Sequence, residues 1–281
     1  MKLEKYISEK RKIVDKWISA YLNNGSEHPL SEIFRYSMSG GKRFRPILVI
    51  SAAEACGLNA ENVIPAAIAI EMIHNFSLIH DDLPCMDNDE YRRDRETCHK
   101  KFGETEALLA GDGLLIEAFN VLSKNTENSN ISPGAILKVV ELFSRSAGHL
   151  GMTGGQVLDM RYQGQKRIEA EVLEEIHSKK TGALITSSVL AGGILAEASK
   201  DRFERLKLYG ERIGLTYQII DDILDLGEDH QTISFPAVFG LEKSREMARK
   251  ATEEAVSALD IFDERAEPLR QLAVYLLNRS S

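Results

Sequence analysis

Two stretches of this chain, residues 63–80 and 183–196, are apolar on most of their helical faces, and nothing else in the sequence limits its fold so strongly. A helix without a polar face must be surrounded by other elements, which calls for a bundle and not a flat array. Elsewhere the periodicity is one-sided. Leu3, Ile7, Val14, Trp17, Ile18, Tyr21 and Leu22 mark one apolar face of a first helix. The pattern predicts further helices over 30–56, 61–83, 103–124, 132–150, 152–163, 170–197, 201–226, 238–262 and 266–279. Ser132-Pro133 reads as an N-cap followed by Pro at the first helical position, with Asn59 and Ser199 as weaker caps. Alternating β-branched runs bounded by turns do not recur. The expectation is an all-α fold, one domain over 1–281, with about ten helices.

Composition agrees with that picture and excludes some functions. Apolar residues make up 43% of the 281, and there are only 7 prolines and no low-complexity linker. A formal net charge of −8 argues against nucleic acid as a partner, because displacing phosphate counterions needs a basic face. The N-terminal stretch has no apolar signal-type region and no run of 18 uncharged apolar residues occurs, so no transmembrane segment is expected. Cys56, Cys85 and Cys98 contain no CxxC pair and read as reduced thiols of a cytoplasmic protein.

Chemistry concentrates in three places. Asp81, Asp82, Asp87 and Asp89 follow fourteen residues carrying one formal charge, Glu71. Carboxylates at the rim of an apolar helix repel one another unless a cation is bound. Pro84 should end or kink that helix, and a bulged continuation can bring Asp87 back toward Asp81. The second place is Asp221-Asp222-Ile223-Leu224-Asp225, where Asp221 and Asp225 share a helix face with Gln218 one turn earlier. Such oxygen clusters suit Mg²⁺, which takes part of its coordination from substrate phosphates. The third is Gly40-Gly41-Lys42-Arg43-Phe44-Arg45-Pro46, three cations in four residues fit to hold a diphosphate. Arg92-Arg93 and Lys180-Thr181 add cations and donors nearby. One DDxxD alone is most simply a solvated acidic face; two, each beside an apolar helix, are not.

The segment IHDDLPCMDNDEYRRDRETCHKKFGE resembles the first aspartate-rich motif of the trans-prenyl diphosphate synthases, and YQIIDDILD resembles their second. GGKRFRP, KTGALI and the spacing between all of these also match the farnesyl and geranylgeranyl diphosphate synthase type, over nearly the whole chain. The resemblance implies helices around a central apolar cavity, a homodimer, and condensation of isopentenyl diphosphate with a dimethylallyl or geranyl diphosphate. It implies that Asp81, Asp82, Asp87, Asp221, Asp222 and Asp225 bind Mg²⁺, three ions with substrate present. It assigns the allylic diphosphate to Arg92 and Lys180, with Thr181 and Gln218 close by. Isopentenyl diphosphate falls to Lys42, Arg45, His74 and Arg93. An aromatic five residues before Asp81, here Phe76 with Ser77 beside it, lies roughly 7.5 Å down the helix and in the family stops the chain near C15. That favours farnesyl over geranylgeranyl diphosphate as product.

One departure is plain. After Asp225 the family carries a longer loop with a Gly-Lys pair, whereas here the connection to Pro236 is short, with Thr232 and Ser234 at the positions of a Lys and a Thr. Three other readings compete. A class I terpene cyclase would lack the basic GGKRFRP and a second DDxxD. A di-metal carboxylate bundle would use Glu71-x-x-His74 and Glu174-x-x-His177 but leaves both aspartate clusters idle. A catalytically silent synthase subunit draws support from the short loop alone.

Overall fold

A computed structural model describes residues 3–23, 27–127, 130–165, 168–226 and 234–279. The fold is all-α, with fourteen α-helical segments and one minimal hairpin among the described residues. In chain order the helices are α1 (Leu3–Leu22), α2 (Pro29–Ser37), α3 (Phe44–Ala55), α4 (Ile64–Asp81), α5 (Cys98–Phe102), α6 (Glu104–Ser123) and α7 (Pro133–Ala147). There follow α8 (Met152–Tyr162), α9 (Ala170–His177), α10 (Ala183–Leu195), α11 (Lys200–Leu224), α12 (Phe235–Phe239), α13 (Leu241–Ala258) and α14 (Glu267–Leu277).

The two apolar stretches become the central helices. α4 buries residues all round and packs on α6, α3 and α1, while α10 packs on α3, α11 and α7. Ile64, Ile70, Met72 and Ile73 of α4 are at most 1% exposed, each worth about 2–3 kcal/mol of transfer free energy. Ser187 and Ser188 of α10 sit in the same core without penalty because both hydroxyls donate back to the Leu184 carbonyl. The segment Ala60–Asp81 is long and apolar enough to cross a bilayer, yet it is mostly buried inside this fold.

Several boundaries differ from expectation, each for a local reason. The helix expected over 30–56 is two, because Gly40 and Gly41 adopt φ +78° and +91° and Arg43 is left-handed as well. The helix expected over 170–197 is interrupted at Ser178–Gly182 by one π turn. That expected over 238–262 is preceded by the short α12 and ends at Ala258. Ser132 and Ser199 cap as expected, accepting from the amides of Ala135 and Arg202. Asn59 does not: its side chain makes no capping bond, and a 3₁₀ turn over Ala60–Val63 leads into α4. Trp17 is 48% exposed, because α1 turns only the narrower stripe of Tyr6, Val14 and Ile18 inward.

The one charge in the interior of α4 explains the break before α3. Glu71 accepts from Nη1 of Arg43 at 2.8 Å, with both side chains at most 3% exposed. Arg43 Nε donates to Asp15 on α1 at 2.8 Å, and its Nη2 donates to the Met38 carbonyl after α2. One buried guanidinium therefore ties α1, α2, α3 and α4 together. Arg43 is thus a structural cation and is withdrawn from the diphosphate-binding trio read from the sequence.

Candidate active site

α4 ends at Asp81, and the chain then folds over Pro84 so that the Asp87 amide donates to the Asp81 carbonyl at 2.9 Å. The backbone thus returns Asp87 toward Asp81, as a bulged continuation allows. Burial, together with the nearby Asp87 and Asp82, raises the Asp81 carboxyl to about 6 despite the opposing pull of Lys180. Asp87 is raised for the same reason, burial first. Asp82, nearly buried, accepts from Arg92 Nε at 2.7 Å, and Arg92 also reaches Asp89 at 3.3 Å. The hairpin of β1 (Tyr91–Arg92) and β2 (Arg95–Glu96) was not foreseen; its turn residues Arg93 and Asp94 both have positive φ. It lays Arg93 against Gly41, where a Cβ would come within 2.7 Å of Nη1. Ser39, Gly40, Gly41, Asp82, Arg92 and Arg93 share one small hollow.

Beside that hollow lies a cleft of about 680 Å³. Its polar wall includes Arg45, His74, Asp81, Lys180 and Thr181, and its apolar wall Phe76, Leu83, Met86, Met152, Val157 and Met160. Arg45 is buried and its Nε has no partner among the described residues. Burial and the surrounding Arg45, Arg93, Arg92 and Arg43 push the His74 imidazole well below its usual range, so it is neutral and surrounded by cations. Arg43 and Arg92 already meet Glu71 and Asp82, so an anionic ligand here would relieve chiefly Arg45 and Arg93. Phe76 packs edge-on to His80 on the cleft wall, and Ser77 donates to the His74 carbonyl. Met72 and Ile73, one turn deeper, are closed core. Lys42 is exposed at the mouth of α3.

The π turn carries Lys180 and Thr181, and its extra residue turns Lys180 toward α8. Nζ of Lys180 donates to Asp159 of α8 at 2.5 Å. A Cβ on Gly155 would fall 2.3 Å from the Lys180 nitrogen, so glycine there lets α8 touch the π turn backbone to backbone. Asp159 also repels Asp87 of the first cluster and Asp222 of the second. Two acidic motifs some 140 residues apart are therefore both within the electrostatic reach of one carboxylate, itself paired with Lys180.

The second motif is less symmetric than its sequence. Asp222 is turned inward, accepting from the Phe235 amide and from Gln218 Nε2, each at 2.7 Å, with His177 at 3.5 Å. Burial raises its carboxyl to about 6 against those bonds. Gln218 thus serves Asp222 and not the face shared by Asp221 and Asp225. Asp221 pairs with Arg279 just past α14, whose guanidinium lies 4.4 Å from the Tyr217 ring centroid. Asp225 caps α11 through its amide and is exposed. The position of Thr232 lies outside the described residues, while Ser234 caps α12.

The donors are hard carboxylate oxygens, several held above their ordinary pKa by burial and by one another, which is the condition a divalent cation relieves. No three metal-ligating side chains among the described residues form a complete cage. The set fits Mg²⁺ if a diphosphate supplies the remaining oxygens. The Glu-x-x-His pairs fit a di-metal centre poorly, because Glu71 is committed to Arg43 and Glu174 is exposed while His177 is buried.

Asp159, Gln156 and Arg279 were not singled out from the sequence. An acid four residues after Gly155, on a helix beside KTG, was an available signal for Asp159. Nothing marked Arg279.

Comparison with known proteins agrees with this geometry. The family model for polyprenyl synthetase matches residues 27–256. The geranylgeranyl diphosphate synthase of Cyanophora paradoxa is 39% identical, over 98% of this chain and 96% of the relative. The farnesyl diphosphate synthase of Micrococcus luteus is also 39% identical, over 89% of each chain. A crystallised FPP/GFPP synthase from Zymomonas mobilis superposes with a TM-score of 0.90 at 34% identity, over 98% of each chain.

Proposed function

Because the chain belongs to the polyprenyl synthetase family, we propose that it joins isopentenyl diphosphate to a dimethylallyl or geranyl diphosphate, with farnesyl diphosphate as main product. What supports this reading is the Asp159–Lys180 pair, with Asp159 acting on Asp87 of one acidic motif and Asp222 of the other, together with the apolar cleft that Lys180 lines.

Mg²⁺, held by Asp81, Asp87 and the second motif, would neutralise charge on the departing diphosphate. Lys180 and Arg92 reach the same leaving group, Lys180 after releasing Asp159 and Arg92 after releasing Asp82. The allylic C–O bond breaks with its electron pair on oxygen. The isopentenyl double bond then attacks the allylic carbon, and a proton leaves for the released diphosphate. Arg45, His74, Arg93 and the exposed Lys42 hold the isopentenyl diphosphate, with His74 neutral and therefore a one-proton donor. The cleft walls from Phe76 to Met160 keep water from the cation.

Phe76 is the reason for favouring C15. Phe76→Ala is expected to shift products from C15 toward C20 and beyond, read by chromatography of the dephosphorylated prenols. An unchanged profile would place the floor elsewhere. Geranylgeranyl diphosphate is the second reading, favoured by relatives such as that of Cyanophora paradoxa. The exposed Leu108, Leu109 and Ile116 along α6 support pairing of two copies through that helix.

The direct test is incubation with isopentenyl diphosphate, either allylic primer and Mg²⁺. Prenyl diphosphate with one equivalent of pyrophosphate per condensation is the expected result. If neither primer is extended, the reading is wrong.

A further inference from the structure

His80 occupies a place on α4 that only a glycine opposite it could admit. A Cβ on Gly111 of α6 would fall 2.1 Å from its Nε2 and 2.4 Å from its Cδ2, so the imidazole lies in a notch against the α6 backbone. In that notch Nε2 donates to the Leu108 carbonyl at 3.0 Å. The Asp112 carboxylate stands 3.9 Å from the same nitrogen, too far to compete for its proton. The ring is thereby fixed to a second helix, although it borders the cleft and not the closed core.

Phe76 lies one helical turn before His80 on the same face of α4. The two rings meet at 5.6 Å between centroids with their planes at 85°, the edge-to-face arrangement that aromatic rings favour. Both line the cleft, together with Leu108. A phenyl ring on a cleft wall can turn about two side-chain bonds unless a neighbour opposes it. Met72 and Ile73, one turn deeper, are closed core, and the imidazole fills the side toward α6. Each condensation lengthens the prenyl chain by one five-carbon unit, so a tail that has reached Phe76 presses on that ring at the next addition. A floor that yields would release longer products.

Resting on the reading above, we propose that His80 is a positioning residue for product length: wedged into the Gly111 notch, it holds Phe76 in place as the end of the cleft. The stop is then a device of three residues on two helices, Phe76 and His80 from α4 and Gly111 from α6. Truncating His80 leaves a vacancy beside Phe76 into which the phenyl ring turns. The cleft deepens although Phe76 itself is unchanged.

The experiment uses His80→Ala and His80→Gln, each alone and combined with Phe76→Ala. One readout is the ratio of C20 and longer products to C15, made from geranyl diphosphate, isopentenyl diphosphate and Mg²⁺. The other is the side-chain order of isotopically labelled Phe76, followed by NMR in the unmodified protein and the single variants. A ratio of products is not moved by a general loss of activity or of folded protein, which is all that a merely structural role would cause. His80→Gln keeps a donor for the Leu108 carbonyl and serves if the alanine variant does not fold. Either single substitution is expected to raise the ratio about tenfold, the size of effect that one edge-to-face aromatic contact carries, and to spread Phe76 over several rotamers. Added to Phe76→Ala, neither should raise the ratio further, because no ring is left to hold. An unchanged ratio, or a rise that adds in full to that of Phe76→Ala, would overturn the proposal. So would an unmodified protein whose main product is already C20, since Phe76 would then be no stop. If the unmodified protein extends no primer, the prenyltransferase reading fails by itself. The hold on Phe76 is then judged by NMR, where a phenyl ring as ordered in the variants as in the unmodified protein overturns it.

Discussion

Asp81→Asn is expected to lower turnover by about 10³-fold or more while leaving the metal-free protein at least as stable as the unmodified chain. The two halves have one cause. Asp81 sits where α4 runs out of its apolar core, beside Asp82 and Asp87, and burial with that repulsion lifts its carboxyl from 3.8 to about 6. At neutral pH the folded state therefore carries a charge it disfavours, at a cost on the order of 2 kcal/mol. Asparagine removes that cost together with the metal ligand. The stability gain should be complete from about a pH unit above the folded value of about 6 and shrink as pH falls through it. It should vanish below the unfolded carboxyl's ordinary value, where both states are protonated. Thermal melts of the two proteins without metal, from pH 4 to pH 8, would measure it. Near-normal turnover in the variant removes Asp81 from the chemistry. A stability deficit at pH 7.5 removes the electrostatic account of the site.

The second large effect is on folding. Glu71→Ala should destabilise the protein by about 3 kcal/mol, read by urea denaturation, because it strands the Arg43 guanidinium in the core. Replacing both partners with apolar residues, Arg43→Met with Glu71→Leu, should restore most of that loss, since neither charge is then buried alone. Isopentenyl diphosphate should bind more weakly to Glu71→Ala than to the unmodified protein. Arg43 holds the left-handed turn that aims Lys42 and Arg45, and a loosened turn holds a diphosphate less well. Unchanged stability in Glu71→Ala would mean that Asp15 and the Met38 carbonyl suffice for Arg43.

Much of the site was legible because its signals are local. Asp81 and Asp87 converge through a proline-directed turn, and residues six apart contain all the information needed. Lys180 and Thr181 head an apolar helix, and that too can be read in one window. The identity of partners could not be read this way. Arg43 and Arg45 look alike in the string Gly-Gly-Lys-Arg-Phe-Arg-Pro, yet one is used up by Glu71, 28 positions away, and the other lines the cleft. Asp221 and Asp222 are adjacent and equivalent on paper. In the fold Asp222 turns to Phe235 and Gln218, and Asp221 meets Arg279.

By itself the sequence determined that the chain is helical, that α4 and α10 lie inside, and that two acidic clusters border an apolar interior. These follow from periodicity and from the free energy of burying apolar side chains, which depend only on neighbours within a turn or two. The tertiary structure alone decided which charges are structural and which face the cleft, and it alone showed that Asp159 pairs with Lys180 and Asp221 with Arg279. Those outcomes are set by contacts between helices distant in sequence, where burial and Coulomb interactions act at a few ångströms whatever the chain distance.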